Sequence, residues 1–230
     1  MHKRFSSSSI IKAGALKRFG SSNLNVATNE LNYDNYEYTG IFGKLTTDNL
    51  NNAAKPHFGN KFNFSYLQAN NKAKFSKNKK TEEFSRYTAD YKGYLPLSNK
   101  TTLGIAASWG KLTSATVPGN ELFYLGGKNI YDESSIPFYG LKYQELSGHH
   151  AITTGIEIRR EVAKNMNLYL RANQGNITNS EKELFDKDQQ IRGGEVAYSL
   201  RSSLGMIELS YGTNDYNHDK LTLISFGNSF

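Results

Sequence analysis

Two adjacent histidines, His149 and His150, are the first residues that suggest chemistry, because neutral imidazoles are common transition-metal ligands. Successive residues of a strand face opposite sides of its sheet, however, and neither a cysteine nor a close carboxylate cluster completes a coordination sphere. No metal and no cofactor is expected. Ser108, within Ala106-Ala107-Ser108-Trp109-Gly110, comes nearest to a nucleophile elbow. The first glycine of GxSxG is missing there, and the segment alternates as a strand does. Gly126-Gly127 and Gly193-Gly194 lack the following helix that a phosphate-binding loop requires, and they read better as loop or strand-bend glycines. Lys72, Lys74, Lys77, Lys79 and Lys80, interrupted by Phe75, could grip single-stranded nucleic acid through phosphates and stacking. The plainer reading is a solvated outer loop near anionic lipid headgroups. No catalytic residue is expected.

Composition narrows the classes further. The 230 residues include no Cys, which excludes disulfide frameworks, zinc fingers, iron–sulfur clusters and thiol nucleophiles. Fifteen Tyr and 13 Phe are too many aromatics for a disordered chain. The formal net charge of +7 suits an anionic partner without identifying one. No apolar run approaches the ~18 residues of a membrane-spanning helix. The basic start, Met1 to Phe5, is followed by Lys12, Lys17 and Arg18, which interrupt any signal-peptide core. A mean hydropathy of −0.61 reads as soluble, yet a transmembrane barrel averages the same way, because its strands alternate lipid-facing and lumen-facing residues.

The elements that must position these residues are strands. Alternation of period two recurs, and helical periodicity is sustained nowhere. Val196, Tyr198 and Leu200 oppose Glu195, Ala197, Ser199 and Arg201, and Ile207, Leu209 and Tyr211 oppose Glu208 and Ser210. The spacing predicts strands near 10–19, 22–31, 39–48, 84–95, 101–112, 149–162, 166–176, 191–202, 205–213 and 220–230. Residues 57–68, with Phe58, Phe62, Phe64 and Tyr66 in alternation, either extend a hairpin or add a strand. Strands of about ten residues suit a tilted membrane crossing better than a soluble sheet. Short connections at 96–100, 163–165 and 203–204 alternate with longer ones at 49–83, 113–148, 177–190 and 214–219. That sorting is the habit of an outer-membrane barrel, with short periplasmic turns and long extracellular loops. Glu157, Arg159, Arg192, Glu195 and Arg201 are assigned to the lumen as wetted or ion-paired charges. Tyr94, Tyr124, Tyr169 and Phe230 are assigned to the interfacial belts.

Several motifs resemble the C-terminal barrel of the bacterial surface antigen superfamily, and most closely the barrel of patatin-like phospholipase autotransporters. Tyr94-Leu95-Pro96-Leu97 resembles the family's periplasmic turn, and Phe123-Tyr124-Leu125-Gly126-Gly127 resembles the opening of its long sixth loop. Leu24 to Leu31 and Tyr33 to Gly40 resemble an earlier strand and turn in which the family's usual Pro is replaced. Phe138-Tyr139-Gly140-Leu141 stands where the assembly proteins of the superfamily carry an Arg-Gly-aromatic tip folded into the lumen, with Tyr139 in place of that Arg. The end of the chain resembles the family's closing strand, with Ile224, Phe226, Gly227 and Phe230 as its insertion signal.

The resemblance implies an all-β fold: an antiparallel transmembrane β-barrel, of which these residues form about the last ten strands of a sixteen-stranded whole. Residues 1–230 then form one incomplete barrel domain, 113–148 its long extracellular loop and 220–230 its closing strand. The implied role is a non-catalytic anchor or translocation domain. Outer-membrane lipid and the barrel assembly machinery are the implied partners, nucleic acid is not one, and a homo-oligomer is compatible. Two alternatives remain: a pore for outer-membrane assembly or two-partner secretion, and a soluble basic β-protein that binds nucleic acid.

Overall fold

The computed structural model describes the chain except for residues 1–7, 22–34, 54, 73–80, 115–116, 118, 129–133, 203–204 and 228–230. Five long strands come first: β1 (Ser8–Ser21), β2 (Asn35–Asp48), β3 (Gly59–Lys72), β4 (Thr81–Ser98) and β5 (Thr101–Leu112). Three short strands follow within one long connection: β6 (Phe123–Leu125), β7 (Ser135–Ile136) and β8 (Leu146–Gly148). Five more long strands complete the fold: β9 (His150–Ala163), β10 (Met166–Thr178), β11 (Ile191–Ser202), β12 (Gly205–Asn214) and β13 (Lys220–Gly227). The ten long strands form one sheet in the order β1-β2-β3-β4-β5-β9-β10-β11-β12-β13, and every neighbouring pair is antiparallel. The expected all-β antiparallel architecture is therefore the one observed.

The strand expected at 22–31 lies outside the described residues. The ambiguous stretch at 57–68 is a full strand of 14 residues, β3. Its aromatics pair across the sheet, Phe62 with Tyr91 and Tyr66 with Tyr87, the latter rings 5.0 Å apart. This strand corrects the expected long loop at 49–83. Residues 49–58 and 73–80 are separate connections at opposite ends of β3, and the Asp48 end of β2 lies on the same side as the short turns 99–100 and 164–165.

Register explains why alternation alone specifies this wall. Ile158, Leu170, Val196 and Tyr211 stand in one row across β9, β10, β11 and β12, each directly opposite the next. All four are exposed, at 40–50%. Leu168, Tyr198, Leu209 and Ile224 form a neighbouring exposed row. A one-residue slip in any strand would turn its share of this band inward. Water would not tolerate so continuous an apolar face, whereas a lipid bilayer requires one. Leu170→Arg is accordingly expected to destabilise the folded barrel by about 2–4 kcal/mol, as a charge in the middle of a lipid-facing strand does. Denaturant titration of the folded fraction in lipid vesicles measures it.

The inner face is polar near the short turns and apolar near the loops. Its apolar end is a cluster of Tyr38, Leu67, Phe84 and Leu112 from the wall with Val117, Phe123, Leu125, Ile136, Phe138 and Leu141 from the 113–149 connection. That connection folds inward, so the sheet has a core where the loop fills it.

Candidate functional site: a loop docked on the inner wall

The 113–149 loop is built as a narrow, self-bonded tongue. β6 pairs with β7 in parallel and with β8 antiparallel, and Gly127 bridges to Phe138. The Gly127 N–H donates to Leu141 O at 3.1 Å, and the Phe138 N–H donates to Gly127 O at 2.9 Å. Gly126, Gly127 and Gly140 adopt φ of +130°, +75° and +84°, values that side chains disfavour. The glycines of both motifs are therefore turn formers, and the paired Phe-x-Leu-Gly-Gly and Phe-Tyr-Gly segments lie side by side.

The tip of the tongue sits on β10, β11 and β12. Gly140 O accepts from Asn214 Nδ2 at 2.7 Å. With its amide oriented to suit its neighbours, Asn173 accepts from the Tyr139 N–H at 2.8 Å and donates to Gly193 O at 3.2 Å. The wall facing the tip is bare backbone: a Cβ on Gly193 would collide with Tyr139 O, and one on Gly212 would stand 3.2 Å from Gly140 N. Gly140→Val, which adds strain and a clash with Thr213 at once, is expected to cost about 2 kcal/mol and to expose the loop to protease. Limited proteolysis of the folded barrel checks it.

Beneath the tip lies a charged cluster. Arg171 donates from Nε to Glu157 at 2.8 Å, and from Nη1 to Glu195 at 2.8 Å and Glu208 at 2.9 Å. Its guanidinium also stacks on Tyr169, 4.1 Å from the ring centre, and faces Tyr139 at 5.5 Å. Lys128, from the loop, adds ion pairs of 3.0 Å to Glu195 and to Glu208 and donates to Ser210. These groups come from β9, β10, β11, β12 and the loop, and those on the four strands all occupy inward positions, where alternation places them.

The other root of the tongue is anchored on the far wall. Glu121, fully buried, accepts from Tyr38 Oη and from Arg18 Nη1 at 3.0 Å, and Arg86 Nε lies 3.9 Å from its second oxygen. Arg86 covers the Phe123 ring at 4.8 Å. On the loop surface, Lys142 pairs with Asp219 at 2.8 Å, which raises the lysine above its ordinary pKa.

The sequence-derived residues divide accordingly. Phe123, Leu125 and Phe138 are buried in the loop core, and Tyr139 is half-buried at the tip. Glu157 and Glu195 hold Arg171, and Arg159 is buried, donating to Thr102 at 3.2 Å and to Pro56 O. Arg201 lies in register with Met206 at the turn-side rim, exposed to solvent. Arg192 has the opposite parity to Glu195 and is exposed, a correction to its luminal assignment. Ile224 and Phe226 stand exposed on β13 at 63% and 76%, Gly227 ends that strand, and Phe230 lies outside the described residues. Tyr169 and Tyr94 leave the expected interfacial belt: both line the lumen, because they share the inward parity of Arg171 and Lys92. Tyr124 also leaves it, since it belongs to the loop strand β6. His149 bonds to Asn179 at 2.8 Å while His150 is buried on the wall, so the pair does diverge. Of the Lys72–Lys80 run, residues 74–80 lie outside the described residues.

Arg171, Asn173, Glu208, Asn214, Lys128 and Glu121 were not singled out from the sequence. The usable signal for three of them was parity alone: Asn173 and Arg171 alternate with Leu168, Leu170 and Ala172, and Glu208 with Ile207 and Leu209.

A polar cavity of about 620 Å³ remains between the tongue and the turn side, lined by Lys44, Lys61, Lys92, Arg159 and Arg171 together with Asp48, Asp90, Glu157 and Glu208.

An antiparallel wall with a lipid-facing band, holding a long loop folded against its inner charges, defines an outer-membrane β-barrel with an internal loop. The chain belongs to the OMP85 superfamily, whose sequence model matches residues 2–230. Among solved structures it is similar to BamA from Haemophilus ducreyi lacking POTRA domains 1–3, with a TM-score of 0.57 at 16% identity over 88% of this chain and 44% of that one. It is also similar to CdiB from Acinetobacter baumannii, with a TM-score of 0.45 at 13% identity over 93% of this chain and 46% of that one. The chain thus spans less than half the length of these two chains. Comparison with curated proteins gives no match. Membership places the protein in the bacterial outer membrane, against the reading as a soluble protein.

Proposed function

We propose that this barrel is the membrane anchor and translocation domain of a patatin-like phospholipase autotransporter, and that it carries no catalysis itself. The observation that supports this reading is the loop tip. By the resemblance of its motif, Tyr139 stands where the assembly proteins carry an arginine, and in this structure a cation, Arg171, faces that tip from the wall. In this reading the turn side is periplasmic, the loop side is extracellular, and the ten strands are the C-terminal part of a larger barrel. Outer-membrane lipid surrounds it, and the barrel assembly machinery inserts it through the Ile224-x-Phe226-Gly227 strand.

Sequencing the coding region upstream of Met1 tests the proposal. An in-frame hydrolase with a GxSxG serine is the expected result, with phospholipase activity in the expressed whole that is lost on replacing that serine. Periplasmic docking repeats in its place would overturn it in favour of a polypeptide pore. The 620 Å³ polar cavity below the tongue is the feature that favours that second reading.

A further inference from the structure

The lipid-facing band is not even. One row nearer the loops than Leu170 and Val196, the outward positions of β10 and β11 are Ala172 and Gly194, directly opposite each other in register. The small residues leave a groove of about 460 Å³ on the outer surface, floored by Ala172 and Gly194 and walled by Ile158, Leu170, Val196 and Tyr211.

Packing does not demand the glycine. A Cβ on Gly194 would meet only Arg171 O, at 3.6 Å, whereas one on Gly193 would collide with Tyr139 O. Nor does Gly194 adopt a positive φ. A glycine inside a strand weakens it, and where the fold does not require one it marks a place that something else approaches closely.

Cations stand at the loop-side end of this groove. Arg192 occupies the next outward position of β11, two residues beyond Gly194, and is exposed. Lys220 of β13 is opposite Thr213, which is opposite Gly194, so the lysine shares the row and the face of the glycine, and it too is exposed. The Asp215 carboxylate beside Arg192 accepts from its backbone N–H at 2.7 Å. Higher on the same face of β10, Asn176 Nδ2 donates to Glu183 O at 2.7 Å and Leu184 O at 3.3 Å, which folds the β10–β11 loop over the outer wall and leaves Phe185 exposed there.

An apolar groove continuous with the lipid-facing band, with cations at one end, matches an acyl chain with phosphate above it. The two cations stand on strands two apart, about 10 Å across the sheet, which suits two phosphates better than one. We propose that this groove binds the diphosphorylated, multiply acylated glycolipid of the outer leaflet, with one acyl chain over Ala172 and Gly194 and the phosphates on Arg192 and Lys220. The assignment rests on the loop side facing outward, as in the reading above, and not on what precedes Met1.

Native mass spectrometry of the full chain, folded in detergent and titrated with diphosphoryl lipid A or with phosphatidylglycerol, tests it. Lipid A is expected to bind at several-fold lower concentration than phosphatidylglycerol. Gly194→Leu and Ala172→Leu, which fill the groove from its floor, should each weaken lipid A binding several-fold. Arg192→Glu with Lys220→Glu should reduce it to the level of phosphatidylglycerol, while Arg192→Lys should keep most of it. Heat-dependent gel mobility verifies that each variant is folded. Equal binding of the two lipids by the parent chain would overturn the site, as would undiminished lipid A binding in the folded groove-filling variants or in the double charge reversal. Binding in detergent does not depend on the upstream coding region, so the lipid site and the proposed anchoring role can fail separately.

Discussion

Replacing Arg171 by Met is expected to lower the stability of the folded barrel by about 3–5 kcal/mol, the cost of leaving buried charge without its partner. Three carboxylates converge on this one guanidinium, and Glu195 and Glu208 are 3% and 7% exposed in their side chains. Methionine keeps most of the stem and volume, so packing against Tyr169 changes little and the effect isolates the charge. Lys128 remains beside Glu195 and Glu208 but is not paired with Glu157, which loses its ion pair altogether. Arg171→Lys should fall between the two, because an ammonium keeps the charge but cannot hold three acceptors in a planar fork. Adding Glu208→Gln to Arg171→Met should recover part of the loss. Heat-dependent gel mobility of the folded barrel in detergent, followed by denaturant titration, reads all three. An Arg171→Met barrel as stable as the parent would mean that lumen water screens the cluster fully.

The same cluster shows what the sequence can and cannot disclose. Parity along each strand is a local property, so the wall of β9 to β12, with Glu157 and Glu195 inward and Leu209 and Tyr211 outward, was legible from alternation. Which inward residues meet is not local. Arg171 stands directly opposite Glu157 and Glu195 in register, but it also reaches Glu208 on β12, which pairs with Ser199, and the loop brings Lys128 to the same two carboxylates, Glu195 and Glu208. Tyr169 was assigned to a membrane belt for its amphipathic ring, although the parity it shares with Arg171 already placed it inside. The resemblance of the Phe-Tyr-Gly-Leu segment to a docked tip supplied a long-range contact that periodicity could not. Phe62, Phe64 and Tyr66 alternate visibly, but the asparagines and lysines flanking them on both sides leave open whether the stretch extends a hairpin or adds a strand, which only the pairing of β3 with β2 and β4 decides. The connection before β3 relies on the Asn51 and Asn52 side chains bonding local N–H groups, a geometry that composition marks only as a turn.

Glu121→Ala is expected to be the second large loss, about 3 kcal/mol, and its origin is the opposite wall. Glu121 is fully buried and gathers Tyr38, Arg18 and Arg86 from β2, β1 and β4 around one carboxylate. Removing it leaves the Arg86 guanidinium, 5% exposed, without its carboxylate. Glu121→Gln should cost less, since an amide still accepts from Tyr38 and Arg18. Glu121→Ala combined with Arg86→Met should be milder than the sum of its parts, because the second change removes the charge that faced the lost carboxylate. The two anchors also report on each other. Glu121 and Arg171 hold opposite ends of one tongue, so if the loop docks as a unit, Glu121→Ala and Arg171→Met together should depart from additivity by more than ~0.5 kcal/mol, although the residues never touch. Strict additivity would mean that the loop can leave one wall while staying on the other. In that case its tip on β10 to β12 and its root on β1, β2 and β4 would be two separate latches, each able to open the lumen on its own side.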